Sequence, residues 1–161
     1  MSEPFVPESI FPVEATAGVV TTNGGVTCDK ISLKNVEWVW ILVHMKQAVG
    51  HATALTPKKG TVVATAATVL GVDVPIWYGN ISTSSNALTR QTDAANFSIG
   101  VGVTGDVIVV FSIDPKQLGD FDSLGFTLSD SSQATNLVSV VYLIKAAYAQ
   151  RAASNVDYLT D

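Results

Sequence analysis

The chain has little of what most functional sites are built from. Among its 161 residues there are one cysteine and two histidines, and only 14% of the residues are charged. Because Cys28 stands alone, an intrachain disulfide and a cysteine-based zinc site are excluded. Lysine and arginine are scattered apart from Lys58-Lys59, whereas nucleic-acid binding needs clustered positive charge. We therefore expect no nucleic-acid partner.

Long apolar runs are also missing. No uncharged apolar run approaches the roughly 18 residues that a membrane-spanning helix needs. The start, Met1-Ser2-Glu3-Pro4, lacks the basic and apolar regions of a signal peptide, so we expect synthesis in a cytoplasm and no membrane partner. With a net charge of −5 and 47% hydrophobic residues, much of the polar surface must be uncharged, which suits a protein that associates with others.

What the sequence does contain is a series of short, β-branched apolar segments. From Gly105 to Ile113, Val107, Val109 and Phe111 fall on one face of an extended chain, and Ile108 and Val110 fall on the other. Such segments alternate with Gly, Pro, Asn and Ser along the whole chain. The pattern predicts an all-β fold, an antiparallel sandwich or barrel, with its domain over residues 15–150.

Both ends carry segments that we predict to be extended. In residues 1–14, prolines at 4, 7 and 12 disfavour helix and sheet, yet apolar side chains lie between them. This arm could pack on its own domain, bind a partner or be disordered, and we take Phe5, Ile10 and Phe11 as candidate partner-binding residues. Residues 151–161 are predicted to be a C-terminal tail.

The segment from Val36 to Met45 is a second strand that is apolar on both faces. Trp38 and Trp40 lie on one face, and Val39, Ile41 and Val43 on the other. Such a strand is either central in the core or has one face in a subunit contact. Trp38 and Trp40 are therefore two more candidate partner-binding residues.

Motifs that could carry chemistry have simpler structural interpretations. The glycines from Gly100 to Gly105 match a dinucleotide-binding spacing, but they precede a strand, whereas that site requires a helix. His44 and His51 are too few for a typical metal site, and nothing around Cys28 would activate a thiol. We predict no catalytic residue, no metal site and no cofactor.

Asp114, Asp120 and Asp122 form the densest group of carboxylates. At a chain corner such residues typically accept hydrogen bonds from backbone amides, and this is the interpretation that we favour. Three carboxylates could also bind calcium, and whether this corner binds an ion stays open.

Several segments resemble a family of small virion proteins of tailed bacteriophages. They are Leu33-Lys34-Asn35-Val36, Ala54-Leu55-Thr56-Pro57, Val74-Pro75-Ile76-Trp77, Leu88-Thr89-Arg90-Gln91-Thr92-Asp93, Val109-Val110-Phe111-Ser112-Ile113-Asp114-Pro115 and Leu118-Gly119-Asp120-Phe121-Asp122. The resemblance covers residues 24–150 and implies a jelly-roll-like β-sandwich that decorates and cements a capsid. The expected partners are the major capsid protein and further copies of the chain, and the expected location is the capsid surface.

The alternative function is a tail or fibre module that recognises host carbohydrate. Such sites favour exposed aromatic rings beside Asp and Asn, so Trp77 and Tyr78 beside Asn80 would be the place for one. An enzymatic role, as a jelly-roll hydrolase or an oxygenase, lacks a convincing set of residues.

Overall fold

The structure is a computed structural model that describes residues 9–81, 85–148 and 158–159. These residues form thirteen strands and two short 3-10 helices, Val63–Thr65 and Pro115–Leu118. The strands are β1 (Ile10–Glu14), β2 (Val20–Thr21), β3 (Val26–Thr27), β4 (Ile31–Ser32), β5 (Val36–Gln47), β6 (Thr53–Gly60), β7 (Thr68–Val69), β8 (Ile76–Ile81), β9 (Thr89–Arg90), β10 (Phe97–Ile99), β11 (Gly105–Ile113), β12 (Ser123–Leu128) and β13 (Leu137–Ala146).

The strands form two antiparallel sheets packed face to face, so the predicted all-β sandwich is confirmed. The larger sheet has the order β1-β13-β5-β11-β8-β9, with β2 also paired to β13. The smaller sheet has the order β10-β6-β12-β3, with β4 and β7 attached at its sides. Without β2, β4, β7, β8 and β9, the remaining eight strands have the order and connections of a jelly roll. β8 and β9 extend the larger sheet. In the described ranges no helix is long and apolar enough to span a bilayer.

The core lies between the sheets and is built by alternation along the long strands. On β5, the side chains of Val39, Ile41, Val43 and Met45 point inward and are fully buried, as are Val107, Val109 and Phe111 on β11. From the smaller sheet, Phe126 meets Phe111 edge-on, with 5.6 Å between ring centroids. The residues that alternate with these point away from the core.

Part of the predicted N-terminal arm belongs to this sandwich. β1 pairs in register with β13, from Ile10 opposite Lys145 to Glu14 opposite Val141. Phe11 points inward and is 4% exposed. Pro12 lies on the edge of the sheet, where its missing N–H removes no hydrogen bond from the interior. Over residues 10–14 the segment therefore packs on its own domain, and the sheet begins inside the predicted arm.

The C-terminal tail also contributes to the core through one residue. Tyr158 is buried, its ring centroid lies 6.0 Å from that of Phe11, and its carbonyl oxygen accepts a 2.7 Å hydrogen bond from the Ser32 amide. Residues 151–157 and 160–161 of the predicted tail lie outside the described residues.

One strand runs through a proline, a residue that usually ends a strand. β6 continues from Thr53 to Gly60 and includes Pro57, opposite Phe126 of β12. On the other side of β6, the pairing with β10 ends at Leu55 and the pairing with β7 begins at Lys58. Pro57 lies at this gap between two short partners, where a strand can lack an N–H without losing a hydrogen bond.

Candidate functional site

The outward side of the larger sheet is a broad apolar surface that carries all three tryptophans of the chain. We call it the tryptophan face. Its apolar members are Ile10, Pro12, Trp38, Trp40, Leu42, Trp77, Ile108, Val110, Val141 and Leu143. All of them except the exposed Pro12 are half-buried. In a single copy of the chain this surface is turned to solvent, and apolar surfaces of such extent commonly mark interaction sites.

The sheet register arranges the tryptophan face in rows that cross the strands. The central row consists of Glu14, Val141, Leu42, Val110, Trp77 and Arg90, one residue each from β1, β13, β5, β11, β8 and β9. Another row contains Leu137, Lys46, Asp106 and Ile81. Directly opposite residues in antiparallel strands point to the same side, so each row is one line of neighbouring side chains.

A hydrogen bond fixes the orientation of one indole on this face. The Nε1 atom of Trp38 donates to Oγ of Ser112 at 2.6 Å. Ser112 belongs to β11 and is directly opposite Trp40 in the register, so the Trp38 ring reaches across to a neighbouring strand. The bond satisfies the polar atom of Trp38 and leaves the rest of its ring as apolar surface.

A shallow groove of about 300 Å³ lies within the tryptophan face, lined by Trp40, Trp77, Leu88 and Val110. Gly79 of β8 allows Leu88 to form one wall of this groove. A side chain at position 79 would begin 2.6 Å from the carbonyl oxygen of Ala87 and 2.8 Å from Leu88 Cδ2. The absence of a side chain there lets the segment before β9 approach β8, which places Leu88 beside Trp77.

Charged side chains lie around the apolar rows. The Arg90 guanidinium lies 4.8 Å from the ring centroid of Trp77 and forms an ion pair with Asp93 at 2.5 Å. At the other end of the strands, His44 Nε2 lies 3.5 Å from Asp106 Oδ1, and both side chains are about half exposed. The face is therefore an apolar centre with a polar rim, the arrangement found in protein–protein interfaces.

The predicted partner-binding residues are distributed between the core and this face. Trp38, Trp40 and Ile10 lie on the tryptophan face, whereas Phe11 is buried in the chain's own core and is not accessible to a partner. Phe5 lies outside the described residues.

Trp77 was missed as a member of this surface. Its signal was the sequence Ile76-Trp77-Tyr78, but which residue of three consecutive apolar ones points outward depends on the pairing of β8 with β11.

No known protein family, curated protein or solved structure matches this chain.

The residues considered for carbohydrate recognition do not converge. Trp77 points outward beside Arg90, whereas Tyr78 points inward and packs against Phe97, with 5.4 Å between ring centroids. Asn80 is exposed and its Nδ2 donates to the Thr104 carbonyl at 3.4 Å. Because consecutive strand residues point to opposite sides, Trp77 and Tyr78 cannot contact one sugar together.

Among the three carboxylates of Asp114, Asp120 and Asp122, the structure gives Asp114 a clear structural role. Asp114 Oδ1 accepts a 3.0 Å hydrogen bond from the Lys116 amide and caps the 3-10 helix Pro115–Leu118, which ends at Gly119. Across the described ranges, no group of three or more His, Cys, Asp and Glu side chains is arranged to hold a metal ion. Asp114 thus has the backbone-capping role that we favoured for this corner.

Cys28 and the histidines occupy ordinary structural positions. Cys28 is buried, and burial together with the neighbouring Asp29 raises the pKa of its thiol to about 12. A thiol in this state is a poor nucleophile. His51 is held by its own loop, with Nδ1 2.8 Å from the Ala52 carbonyl oxygen. Gly100 and Gly102 lie in the turn between β10 and β11, and Gly105 begins β11, so these glycines precede a strand and not a helix.

Proposed function

We propose that the chain is a non-enzymatic structural protein of a bacteriophage virion, which binds the outside of the capsid lattice and stabilises it. The structural observation that carries the proposal is the tryptophan face. Half-buried tryptophans on a sheet face are suited to burial against protein, because aromatic residues contribute a large part of the binding energy in interfaces. An apolar face of this kind suits many partners. We take the capsid as the partner because several segments resemble small phage virion proteins.

The compact fold of the chain supports a structural role. A decoration protein is added to a shell in many copies, so each copy needs a compact body and a modest interface rather than a reactive site. The sandwich supplies the body, and the buried core between its sheets makes it rigid. Because Cys28 is buried, attachment to the shell is expected to be non-covalent.

The carbohydrate-binding alternative has weaker support. It requires aromatic rings and polar side chains that meet in one accessible site. Trp77 and Tyr78 lie on opposite sides of β8, and the ring of Trp77 is already stacked with Arg90. A sugar could contact only one of the two rings, which leaves no two-ring platform.

A shell-binding assay tests the proposal. Purified protein is added to shells that lack it, and bound protein is measured by co-sedimentation. The temperature at which the shells break is then compared with and without the protein. We expect saturable binding in many copies per shell and a higher disruption temperature, unchanged by a reducing agent. Absence of binding together with equal disruption temperatures would contradict the proposed function.

The role of the tryptophan face in this binding is tested with a variant that alters the face and keeps the net charge, compared with a control variant outside the face. Trp40→Ala is suitable because Trp40 lies in the groove and outside the core. If the face serves assembly on the shell, this variant is expected to bind shells less well than Val69→Ala. Val69 is an exposed apolar residue at the side of the smaller sheet.

A further inference from the structure

We infer that the tryptophan face is covered by the tryptophan face of a second copy of this chain, in a two-fold symmetric pair. The inference deepens the proposed function, on which its biological setting rests, by naming the partner of the face. It depends on the distribution of charges in the rows of the larger sheet.

The rows have opposite charges at positions that a two-fold axis would exchange. Consider an axis that runs parallel to the strands, in the plane of the contact, between β5 and β11. It places β5 of one copy over β11 of the other, β13 over β8, and β1 over β9. A face-to-face contact of this kind is isologous, so each pairing occurs twice.

The first exchanged charges are those of Lys46 and Asp106. They are directly opposite each other on β5 and β11, in the same row. The axis therefore sets Lys46 of each copy against Asp106 of the other. Two stacked sheets cross at about 30°, which displaces opposed side chains by a few ångströms near the strand ends. A lysine side chain is flexible enough to follow such a displacement, and the charges stay within the screening length of about 10 Å.

The second exchanged charges lie at the two edges of the sheet. In the central row, Glu14 stands at the β1 edge and Arg90 at the β9 edge. The same axis sets Glu14 of each copy against Arg90 of the other. Both side chains are exposed, and each also has a partner in its own chain, Asp93 for Arg90 and the Gly18 amide for Glu14. Charge complementarity at the row ends and at Lys46 and Asp106 thus arises from a single symmetry operation.

The apolar residues between these charges are brought together by the same axis. Val141 of one copy faces Trp77 of the other, and Leu42 faces Val110. The groove beside Trp40 and Trp77 would then receive side chains of β13 from the other copy. The two Trp40 rings would lie on either side of the axis, one row away from the central row, and residues near the centre of an interface usually dominate its binding energy.

The size of the face agrees with a stable pair. With strands about 4.8 Å apart and a rise of about 3.4 Å per residue, the face from β1 to β9 and from Trp38 to Lys46 measures roughly 24 by 27 Å. This corresponds to about 650 Å² on each copy and about 1,300 Å² in the pair, within the range of roughly 1,200–2,000 Å² for specific interfaces.

The test uses charge reversals that can be complemented only between chains. K46E makes both positions acidic, and D106K makes both basic. Each variant alone would oppose like charges across the axis, whereas a mixture of the two would oppose unlike charges. We expect the wild type to dimerise in analytical ultracentrifugation, each single variant to dimerise more than about tenfold more weakly, and the equimolar mixture to dimerise again.

The mixture separates contacts between chains from changes within one chain, and two further variants test whether a charge change elsewhere on the surface has the same effect. K116E and D120K make the same charge changes at exposed sites on the segment between β11 and β12, outside the strands of the larger sheet, and both should dimerise like the wild type. Circular dichroism verifies that each variant is folded. A second readout needs no substitution: because all tryptophans lie on the face, quenching of their fluorescence by acrylamide should decrease as wild-type concentration rises.

The outcomes are distinct from those of the shell-binding assay. A wild type that remains monomeric, with quenching independent of concentration, would overturn the inference, as would single variants that dimerise normally or a mixture that stays monomeric. A monomer that still binds shells would refute the pair and leave the proposed function intact. A dimer that fails to bind shells would contradict the proposed function and leave the two-fold pair intact.

Discussion

Trp38 and Ser112 are joined by a 2.6 Å hydrogen bond between Nε1 and Oγ, although in the register Ser112 faces Trp40. One serine of β11 is therefore in contact with both tryptophans of β5, through a hydrogen bond to one and through strand pairing with the other. Ser112 is only 4% exposed, so water competes weakly for the bond. The bond orients the Trp38 ring before any partner arrives, which lowers the entropy lost when the face is covered.

Removal of this acceptor should loosen the Trp38 ring. We expect Ser112→Ala to lower the free energy of unfolding by about 1 kcal/mol, a typical value for one hydrogen bond. Tryptophan emission should shift to longer wavelength, because the indole becomes more mobile and better hydrated. Ser139→Ala is the matched control, since Ser139 lies on the same face but opposite His44. Identical emission spectra for the two variants would contradict the orienting role of Ser112.

The N-terminal segment should divide into two parts with different effects. Deletion of residues 1–8 leaves β1 in place, so we expect a folded domain with near-normal stability. Deletion of residues 1–12 removes Phe11, whose contact with Tyr158 links the two ends of the chain, so we expect this deletion to destabilise the domain.

Phe11→Ala alone should lower the free energy of unfolding, measured by urea denaturation, by about 3 kcal/mol or more, as is typical for a buried phenylalanine. Pro12→Ala, on the exposed side of β1, is the control, and equal stability of the two variants would mean that β1 adds nothing to the core.

The fold could be predicted from the sequence where the pattern was local. Alternation in Val36–Met45 and Gly105–Ile113 identified the two central strands, and the turn signals between segments indicated an all-β protein. Pro57 shows the limit of this approach. A proline interrupts a strand only if its N–H would have bonded a neighbour, and the gap between β10 and β7 is a property of the whole sheet.

The candidate site was predictable only in part. Trp38 and Trp40 were identified because both faces of their strand are apolar, but the sequence could not distinguish a second core from an exposed surface. The addition of Trp77 depends on the register between β8 and β11, which sets residues far apart in the chain side by side. The contact between Phe11 and Tyr158 is likewise one that no local pattern contains.

Asp130 should make stability depend on pH. Hydrogen bonds from the backbone amides of Ser132 and Gly24 lower the pKa of its carboxyl group below the ordinary 3.8. Its contribution is therefore present above the unfolded pKa and is lost as pH falls through the lower folded pKa. We expect Asp130→Ala to reduce the thermal midpoint at neutral pH, with a difference from wild type that shrinks in strong acid. The exposed Asp120→Ala is the control, and a constant difference at all pH values would exclude this explanation.

Cys28 should be unreactive in the folded protein. With a thiol pKa of about 12, the thiolate fraction at pH 8 is on the order of 10⁻⁴, and the side chain is also buried. We expect a thiol reagent such as dithionitrobenzoate to label the native protein very slowly and the urea-denatured protein at once. Rapid stoichiometric labelling under native conditions would show that the loop around Cys28 opens readily, and would weaken the argument for attachment that is independent of reducing agents.

Substitution of Trp40 should separate folding from association. Its ring lines the groove, points away from the core and lies beside the inferred two-fold axis. Trp40→Ala is therefore expected to stay folded and to lose a modest part of its stability. Its self-association should weaken by more than about tenfold, since central tryptophans in interfaces often contribute 2 kcal/mol or more. Trp40→Phe keeps an aromatic ring in the groove and should be intermediate, and Val69→Ala should behave like the wild type. Sedimentation and thermal denaturation measured on the same samples distinguish the possibilities: if Trp40→Ala unfolds at a much lower temperature and associates normally when folded, Trp40 stabilises the sheet and does not form the contact.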